Sequence, residues 1–143
     1  MTSPNLENLA RIGKLKREAP DVREFDGLLH SGRVRLADAR HTSLSLEGRF
    51  DLAYNAAHAL ALAALRWHGY RSENRYLVFQ VLEFTLGLPS PLWRVLALCH
   101  ERRNLAEYEG HLEVDERLLE ELLTAAKEIL TRIEAFPPPR VPG

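Results

Sequence analysis

Hydrophobic residues recur at helical spacing along most of this chain. From about residue 21 to residue 136, apolar side chains repeat every three or four positions, as in helices that bury one face. No stretch shows the alternation typical of a strand. The pattern predicts an all-α, up-and-down helical bundle of about five helices in residues 21–136. A short N-terminal helical arm is expected in residues 1–20, and a disordered Pro-rich tail in residues 137–143.

Residues that favour helix ends mark where these helices start and stop. The predicted N-caps are Asp21, Ser43 or Ser45, Ser90 and Asp115. Pro91 strengthens the start at Ser90, since proline is favoured at the first helical position, and Gly110 predicts a left-handed C-terminal cap. Two glycines, Gly27 and Gly32, leave open whether the first long helix is one bent helix or two shorter ones.

The helix predicted after Ser45 is apolar on nearly every side. Such a helix belongs at the centre of a bundle. Asp51, Asn55 and His58 form an isolated polar line on it, at positions i, i+4 and i+7. Buried polar groups must be paired. These three side chains are therefore either a hydrogen-bonded patch beneath a neighbouring helix or one wall of a polar cleft.

The helix predicted over residues 90–110 carries the most unusual charge. Its apolar stripe consists of Leu92, Val95, Leu96, Cys99 and Ala106. Arg103 projects close to the middle of that stripe, although a buried guanidinium is costly unless it is paired. A polar stripe runs beside it through His100, Arg103, Asn104, Glu107 and His111. It is either a solvated helix end with an Arg103–Glu107 ion pair or the lining of a cleft.

Composition narrows the class of protein. A chain of 143 residues with 45% hydrophobic residues is long enough for one domain with a core, and a net charge of −1 implies no overall attraction to nucleic acid or membrane. Its one cysteine, Cys99, excludes an internal disulfide and fits a reducing compartment. Without a signal segment or a membrane-length apolar run, we expect a cytoplasmic protein that does not enter a membrane.

Motifs for cofactors and metals are missing from the sequence. There is no glycine-rich phosphate loop, no cysteine pair for zinc and no His-Glu-x-x-His motif. The six histidines are scattered, and only His100 and His111 flank the polar stripe. We therefore expect no cofactor and no metal.

Two stretches resemble one known superfamily. Arg103-Asn104-Leu105-Ala106-Glu107-Tyr108 is similar to the Arg-Asn signature in the HEPN superfamily (higher eukaryotes and prokaryotes nucleotide-binding domains). The run from Arg49 to His58 resembles that superfamily's early core helix, and the likeness covers roughly residues 22–136. The resemblance, to a toxin-like bacterial member, implies a helical homodimer that cleaves RNA without metal in a cleft at the dimer interface. It also implies a nucleotidyltransferase-type antitoxin partner, which in some members adenylates a tyrosine near the motif.

The resemblance also implies roles for individual residues. Arg103 would stabilise charge on a phosphate, and Asn104 would hydrogen-bond phosphate or sugar. The family's usual motif places a histidine, the proton carrier, four to six residues beyond the arginine, and where four residues separate that position from Arg103 this chain has Tyr108. Seven residues separate Arg103 from His111. The candidate catalytic residues are Arg103, Asn104, Tyr108 and His111, and the candidate binding residues are His100, Glu107, Asp51, Asn55 and His58.

Three functions remain open from the sequence. The first is a HEPN-like, toxin-type ribonuclease. The second is a catalytically silent helical module of the same family, which binds RNA, nucleotide or an antitoxin partner. The third is a purely structural dimerisation domain. A homodimer is also expected because Trp93, Leu96 and the polar stripe would form one uncovered face.

Overall fold

A computed structural model describes residues 4–140 and confirms the all-α helical bundle. The helices are α1 (Pro4–Arg11), α2 (Val22–Ala39), α3 (Leu46–Trp67), α4 (Arg75–Gln80), α5 (Leu82–Thr85), α6 (Ser90–Glu109) and α7 (Glu116–Glu134). Two short strands, β1 (Lys16–Arg17) and β2 (Tyr70–Arg71), pair antiparallel. Helices α4 and α5 adjoin at Val81, which is the C-cap of the first and the N-cap of the second. No helix within residues 4–140 is long and apolar enough to cross a membrane.

Helix α3 lies at the centre, as its all-round apolar surface predicts. It packs against α2, α4, α5, α6 and α7, and 12 of its 22 residues are buried. Seven of those buried residues are alanines, which let neighbouring helices approach closely because their side chains are small. Of the polar line on α3, Asp51 is exposed, whereas Asn55 and His58 are partly buried.

Side-chain caps start four of the helices. Asp21, Ser45, Asn74 and Asp115 each accept hydrogen bonds from backbone N–H groups in the first turn, which settles the alternative between Ser43 and Ser45. The prediction that Ser90 caps α6 is wrong. Ser90 is already the first helical residue, and the extended residue before it is Pro89, whose side chain cannot accept a hydrogen bond. Gly110 ends α6 with φ of 68°, as predicted for a left-handed cap.

Helix α2 is one continuous helix, and Gly32 explains why a weak helix former stands inside it. A Cβ atom at Gly32 would lie 2.4 Å from Cδ2 and 2.5 Å from Cγ of Leu60, a fully buried side chain of α3. The glycine therefore lets α2 and α3 approach closely. Gly32, which left open in the sequence whether this segment is one bent helix or two shorter ones, is therefore needed for the packing of α2 on α3.

A buried arginine of α3 holds residues 18–24 against this helix through hydrogen bonds. Arg66 is 2% exposed, and its guanidinium donates to the backbone oxygens of Glu18 and Ala19 at 2.8 and 2.7 Å. It also donates to Glu24 Oε1 at 2.6 Å. Burial by itself raises the pKa of Glu24, but hydrogen bonds from Arg71 and Arg66 hold that pKa below its usual value. Glu18 and Glu24 both pair with Arg71 as well.

Both ends of the described chain pack against the bundle. Leu6, Ala10 and Leu15 of the expected arm are buried in the common core. At the other end, Trp67 Nε1 donates to the backbone oxygen of Pro137 at 2.8 Å, and Pro139 is buried. The expectation of a disordered tail is therefore wrong for residues 137–140. Residues 1–3 and 141–143 lie outside the described part of the chain.

Candidate functional site

The polar line of α3 faces the polar stripe of α6 across Tyr54. Tyr54 is 1% exposed, and its hydroxyl oxygen lies 2.8 Å from Nδ1 of His100. The guanidinium carbon of Arg103 lies 5.0 Å from the centroid of the Tyr54 ring, a cation–π arrangement. Arg103 Nε also donates to Asp51 Oδ1 at 3.2 Å. The described carboxylate that pairs with Arg103 is thus Asp51, and the alternative of an Arg103–Glu107 ion pair is wrong.

A second arginine, Arg75, completes this group of side chains. Its guanidinium carbon lies 5.7 Å from the Tyr54 ring centroid, and Nη1 donates to Asn55 Oδ1 at 3.4 Å. Asn55 in turn donates to the backbone oxygen of Asp51 at 2.9 Å. Within residues 4–140, no carboxylate lies within 4 Å of the Arg75 guanidinium. We call Asp51, Tyr54, Asn55, Arg75, His100, Arg103 and Asn104 the Tyr54 cluster.

Sequence analysis missed Tyr54 and Arg75. Tyr54 falls on an apolar face of α3 and carries no sign that its hydroxyl has a partner 46 residues later. Arg75 follows the N-cap residue Asn74 at the start of a six-residue helix. The sequence does show an arginine at the start of a short, mostly apolar helix, but it does not indicate which residues that side chain contacts.

His100 is held in one orientation by two partners. Asn104 Nδ2 lies 3.1 Å from Nε2 of His100, and because an amide nitrogen donates, Nε2 accepts. The ring proton then lies on Nδ1, directed at the Tyr54 hydroxyl. Burial, followed by the charges of Arg75 and Arg103, lowers the pKa of His100. The cluster therefore contains a neutral imidazole beside two guanidinium groups at neutral pH.

His58, on the same polar line, is also neutral. Its ring meets that of Phe79 edge to face, with 5.9 Å between centroids. Burial, and then the charges of Arg75 and His100, lower the pKa of His58 to about 4. His58 therefore belongs to the wall behind the cluster, where it packs against apolar surface as an uncharged ring.

We expect the free energy of unfolding to fall as the pH drops from about 6.5 towards 4. Over that range His58 is protonated in the unfolded chain but still neutral in the folded one, so protons favour unfolding. The pKa values of His68 and His100 are lowered too, so they act in the same direction. Glu7, Glu18 and Glu24 have lowered pKa values, and their loss of stability begins only near pH 4.5 and below. Urea unfolding between pH 7.5 and 4.5 measures the histidine part. His58→Gln should flatten the slope, and an unchanged slope would contradict the role of His58.

Besides His58, three predicted site residues lie outside the Tyr54 cluster. Helix α6 stays regular to Glu109, so Tyr108 projects about 140° away from Arg103, and its side chain is 89% exposed. Glu107 is exposed and has no ion-pair partner within residues 4–140. His111 lines a different groove, together with Arg102, Glu113 and Arg117. Within one chain, neither Tyr108 nor His111 meets Arg103.

An open groove of about 580 Å³ lies on the side of α6 to which Tyr108 projects. We call it the tyrosine groove, and it is lined mainly by Tyr76, Arg94, Leu98, His100, Asn104 and Tyr108. His100 and Asn104 belong both to this groove and to the Tyr54 cluster. The rings of Tyr76 and His100 have centroids 6.5 Å apart, so the two features are continuous.

The uncovered face that favoured a homodimer differs from the one expected. Leu96 is fully buried, and the indole nitrogen of the half-buried Trp93 is buried as well. Trp93 and Leu96 therefore do not form the uncovered face that was expected. The apolar side chains that α6 does expose are Leu98, Leu105 and Tyr108, at 37%, 45% and 89%.

The site offers two guanidinium cations, a carboxylate, a neutral imidazole and two primary amides. Guanidinium groups hold phosphate oxygens, and imidazole can accept or carry a proton. Within the part of the chain that is described, no three His, Cys, Asp or Glu side chains form a group that could hold a metal ion. Comparisons of this chain with protein-family models, curated proteins and solved structures found no match.

Proposed function

We propose that this chain is a HEPN-like helical protein that binds RNA by its backbone phosphate at the Tyr54 cluster. The observation that carries the proposal is Arg75, a half-buried guanidinium without a carboxylate partner within residues 4–140, which lies against the same Tyr54 ring as Arg103. An unpaired cation held in place by an aromatic ring and an amide is prepared to accept an anion. Phosphate is the anion that the family resemblance implies.

Binding is favoured over cleavage because the expected catalytic set is divided. Arg103 and Asn104 lie at the cluster, whereas Tyr108 points into the tyrosine groove and His111 into another groove. Tyrosine is also a weak base at neutral pH, since its unperturbed pKa is about 10. The catalytically silent RNA-binding module is therefore the function that this geometry supports best.

Metal-independent RNA cleavage is the second candidate, and His100 favours it. It is a neutral imidazole beside Arg103, the pair of groups needed to move a proton and to stabilise charge on phosphate. His100 Nε2 would first have to leave Asn104 in order to reach a substrate. A second subunit could supply Tyr108 or His111. The homodimer, which sedimentation at tens of micromolar would measure, and the nucleotidyltransferase-type antitoxin both stay predictions.

We expect Arg75→Ala and Arg103→Ala each to weaken RNA binding on the order of 10-fold or more, because each removes a charged hydrogen bond to phosphate. Each change should also lower the slope of log affinity against log salt by about 1. Fluorescence anisotropy with a labelled single-stranded RNA measures both quantities. Arg117→Ala is the matched control, since this α7 arginine is 88% exposed and only pairs with Glu121. Equal affinity for all three variants would contradict the proposal.

The same samples separate the three functions. Incubation with RNA in EDTA should leave the RNA intact for the wild-type protein. If it is cut instead, and Arg103→Ala lowers the rate by about 10²–10³, the ribonuclease replaces the binding module. If the wild-type protein neither binds nor cuts RNA, and Arg103→Ala loses stability together with the contact to the Tyr54 ring, Arg103 is structural and the dimerisation domain is the better account.

A further inference from the structure

We propose that the tyrosine groove holds one unstacked base of single-stranded RNA, next to the phosphate at the Tyr54 cluster. This inference rests on the proposed function and specifies its ligand. It predicts that the protein distinguishes single-stranded from double-stranded RNA. It also gives Tyr108 a role that does not require it to meet Arg103.

Two exposed tyrosine rings supply the stacking surfaces. Tyr108 is 89% exposed at the end of α6, and Tyr76 is 44% exposed on α4. The two belong to different helices and line the same groove. Aromatic rings stack on unpaired bases irrespective of sequence, because every base presents a flat π face. A base in a duplex is already stacked on its neighbours and cannot enter such a groove.

The lining of the groove is mostly apolar, with Ala97, Leu98 and Leu105 beside the two tyrosines, and its few polar groups suit a nucleotide. Asn104 uses its amide nitrogen on His100, and its carbonyl oxygen has no hydrogen-bond partner among residues 4–140. That oxygen can accept from an exocyclic amine of a base. Arg94 is exposed and has no carboxylate within 4 Å in the described part of the chain, so it can meet a flanking phosphate. Glu101 also lines the groove, and its negative charge repels phosphate.

The groove is also in the right place relative to the proposed phosphate site. His100 contacts Tyr54 through Nδ1 and Asn104 through Nε2, and His100 and Asn104 both line the groove, so the Tyr54 cluster and the groove adjoin at this ring. An RNA strand held by Arg75 and Arg103 would bring its neighbouring base over His100 towards Tyr76. Proteins that bind single-stranded nucleic acid likewise place cationic groups for the backbone beside aromatic rings for the bases.

The test compares RNA with and without bases. We expect Tyr108→Ala to weaken binding of a single-stranded RNA decamer on the order of 10-fold, the effect of losing one stacked ring. Tyr108→Phe keeps the ring and should bind as the wild-type protein does. A decamer of ribose phosphate without bases should bind more weakly, and its affinity for the wild-type protein should equal its affinity for Tyr108→Ala. Glu101→Gln should strengthen binding of both decamers, because it removes a negative charge beside the phosphate path.

Four results would overturn the inference. Equal affinity of Tyr108→Ala and wild type for the decamer would show that the ring does not bind a base. Equal losses in Tyr108→Ala and Tyr108→Phe would assign the effect to the hydroxyl group. An equal loss for the decamer without bases, together with a changed sedimentation coefficient, would assign the groove to a second copy of the chain. Affinity for duplex RNA as high as for the single strand would also contradict it.

The inference and the proposed function can fail separately. If Arg75→Ala and Arg103→Ala weaken binding but Tyr108→Ala does not, the phosphate site stands and the base site is wrong. If the wild-type protein binds neither the decamer nor the form without bases, both are wrong.

Discussion

Replacing Arg66 with methionine should lower the free energy of unfolding by about 3 kcal/mol, the lower end of the cost of removing one partner from a buried ion pair. Methionine fills part of the volume, but it cannot donate to the backbone oxygens of Glu18 and Ala19, which would be left without their partner. The lower end applies because Glu18 and Glu24 keep Arg71 and are about a third exposed. Urea unfolding at pH 7, followed by circular dichroism, measures the change.

Two further arginine variants separate charge from geometry. Arg66→Lys keeps the charge but loses the planar fork that reaches several acceptors, so its stability should fall between those of wild type and Arg66→Met. Arg117→Ala removes an exposed pair on α7 and should cost about 0.5 kcal/mol or less. If Arg66→Met stayed within 1 kcal/mol of wild type, the buried arginine would not be what fastens residues 18–24 to α3.

Two glycines of the same helix should respond to alanine in opposite directions. Gly32→Ala should destabilise the protein by about 1–3 kcal/mol, because the new methyl group overlaps the buried Leu60. Gly27→Ala should stabilise it by about 0.5–1 kcal/mol, because alanine is the better helix former and nothing lies within 4 Å of the added atom. Thermal and urea unfolding of the two single variants measures the difference.

This pair is informative because the helix propensity gained is the same in both variants. Any difference between them is therefore the cost of separating α2 from α3 at Leu60. Should Gly32→Ala be as stable as Gly27→Ala, the α2–α3 contact must relax at little cost. The close approach of the two helices at Gly32 would then not depend on glycine.

The sequence by itself determined the fold class and most helix boundaries. Helical periodicity is local, and so are caps such as Asp21, Asp115 and Gly110, since each acts on backbone groups within one turn. The central position of α3 was also readable, because a helix that is apolar all round has to be covered all round. Ser90 was misplaced by one residue, since serine and proline at a helix start suit adjoining positions almost equally well.

Only the tertiary structure decided which polar residues meet. Tyr54, Arg75 and His100 come from three helices, and no spacing within one helix relates them. The same holds for the β1–β2 pair, which joins residues 16 and 71, and for Arg66, whose partners Glu18, Ala19 and Glu24 lie over 40 residues away. Such contacts depend on the relative positions and rotations of the packed helices, which the pattern of residues along the chain does not determine. The sequence therefore identified polar lines on two helices, and the regular geometry of α6 by itself directs Tyr108 away from Arg103. The packing of α4 against α3 and α6 decided that Arg75 would join them.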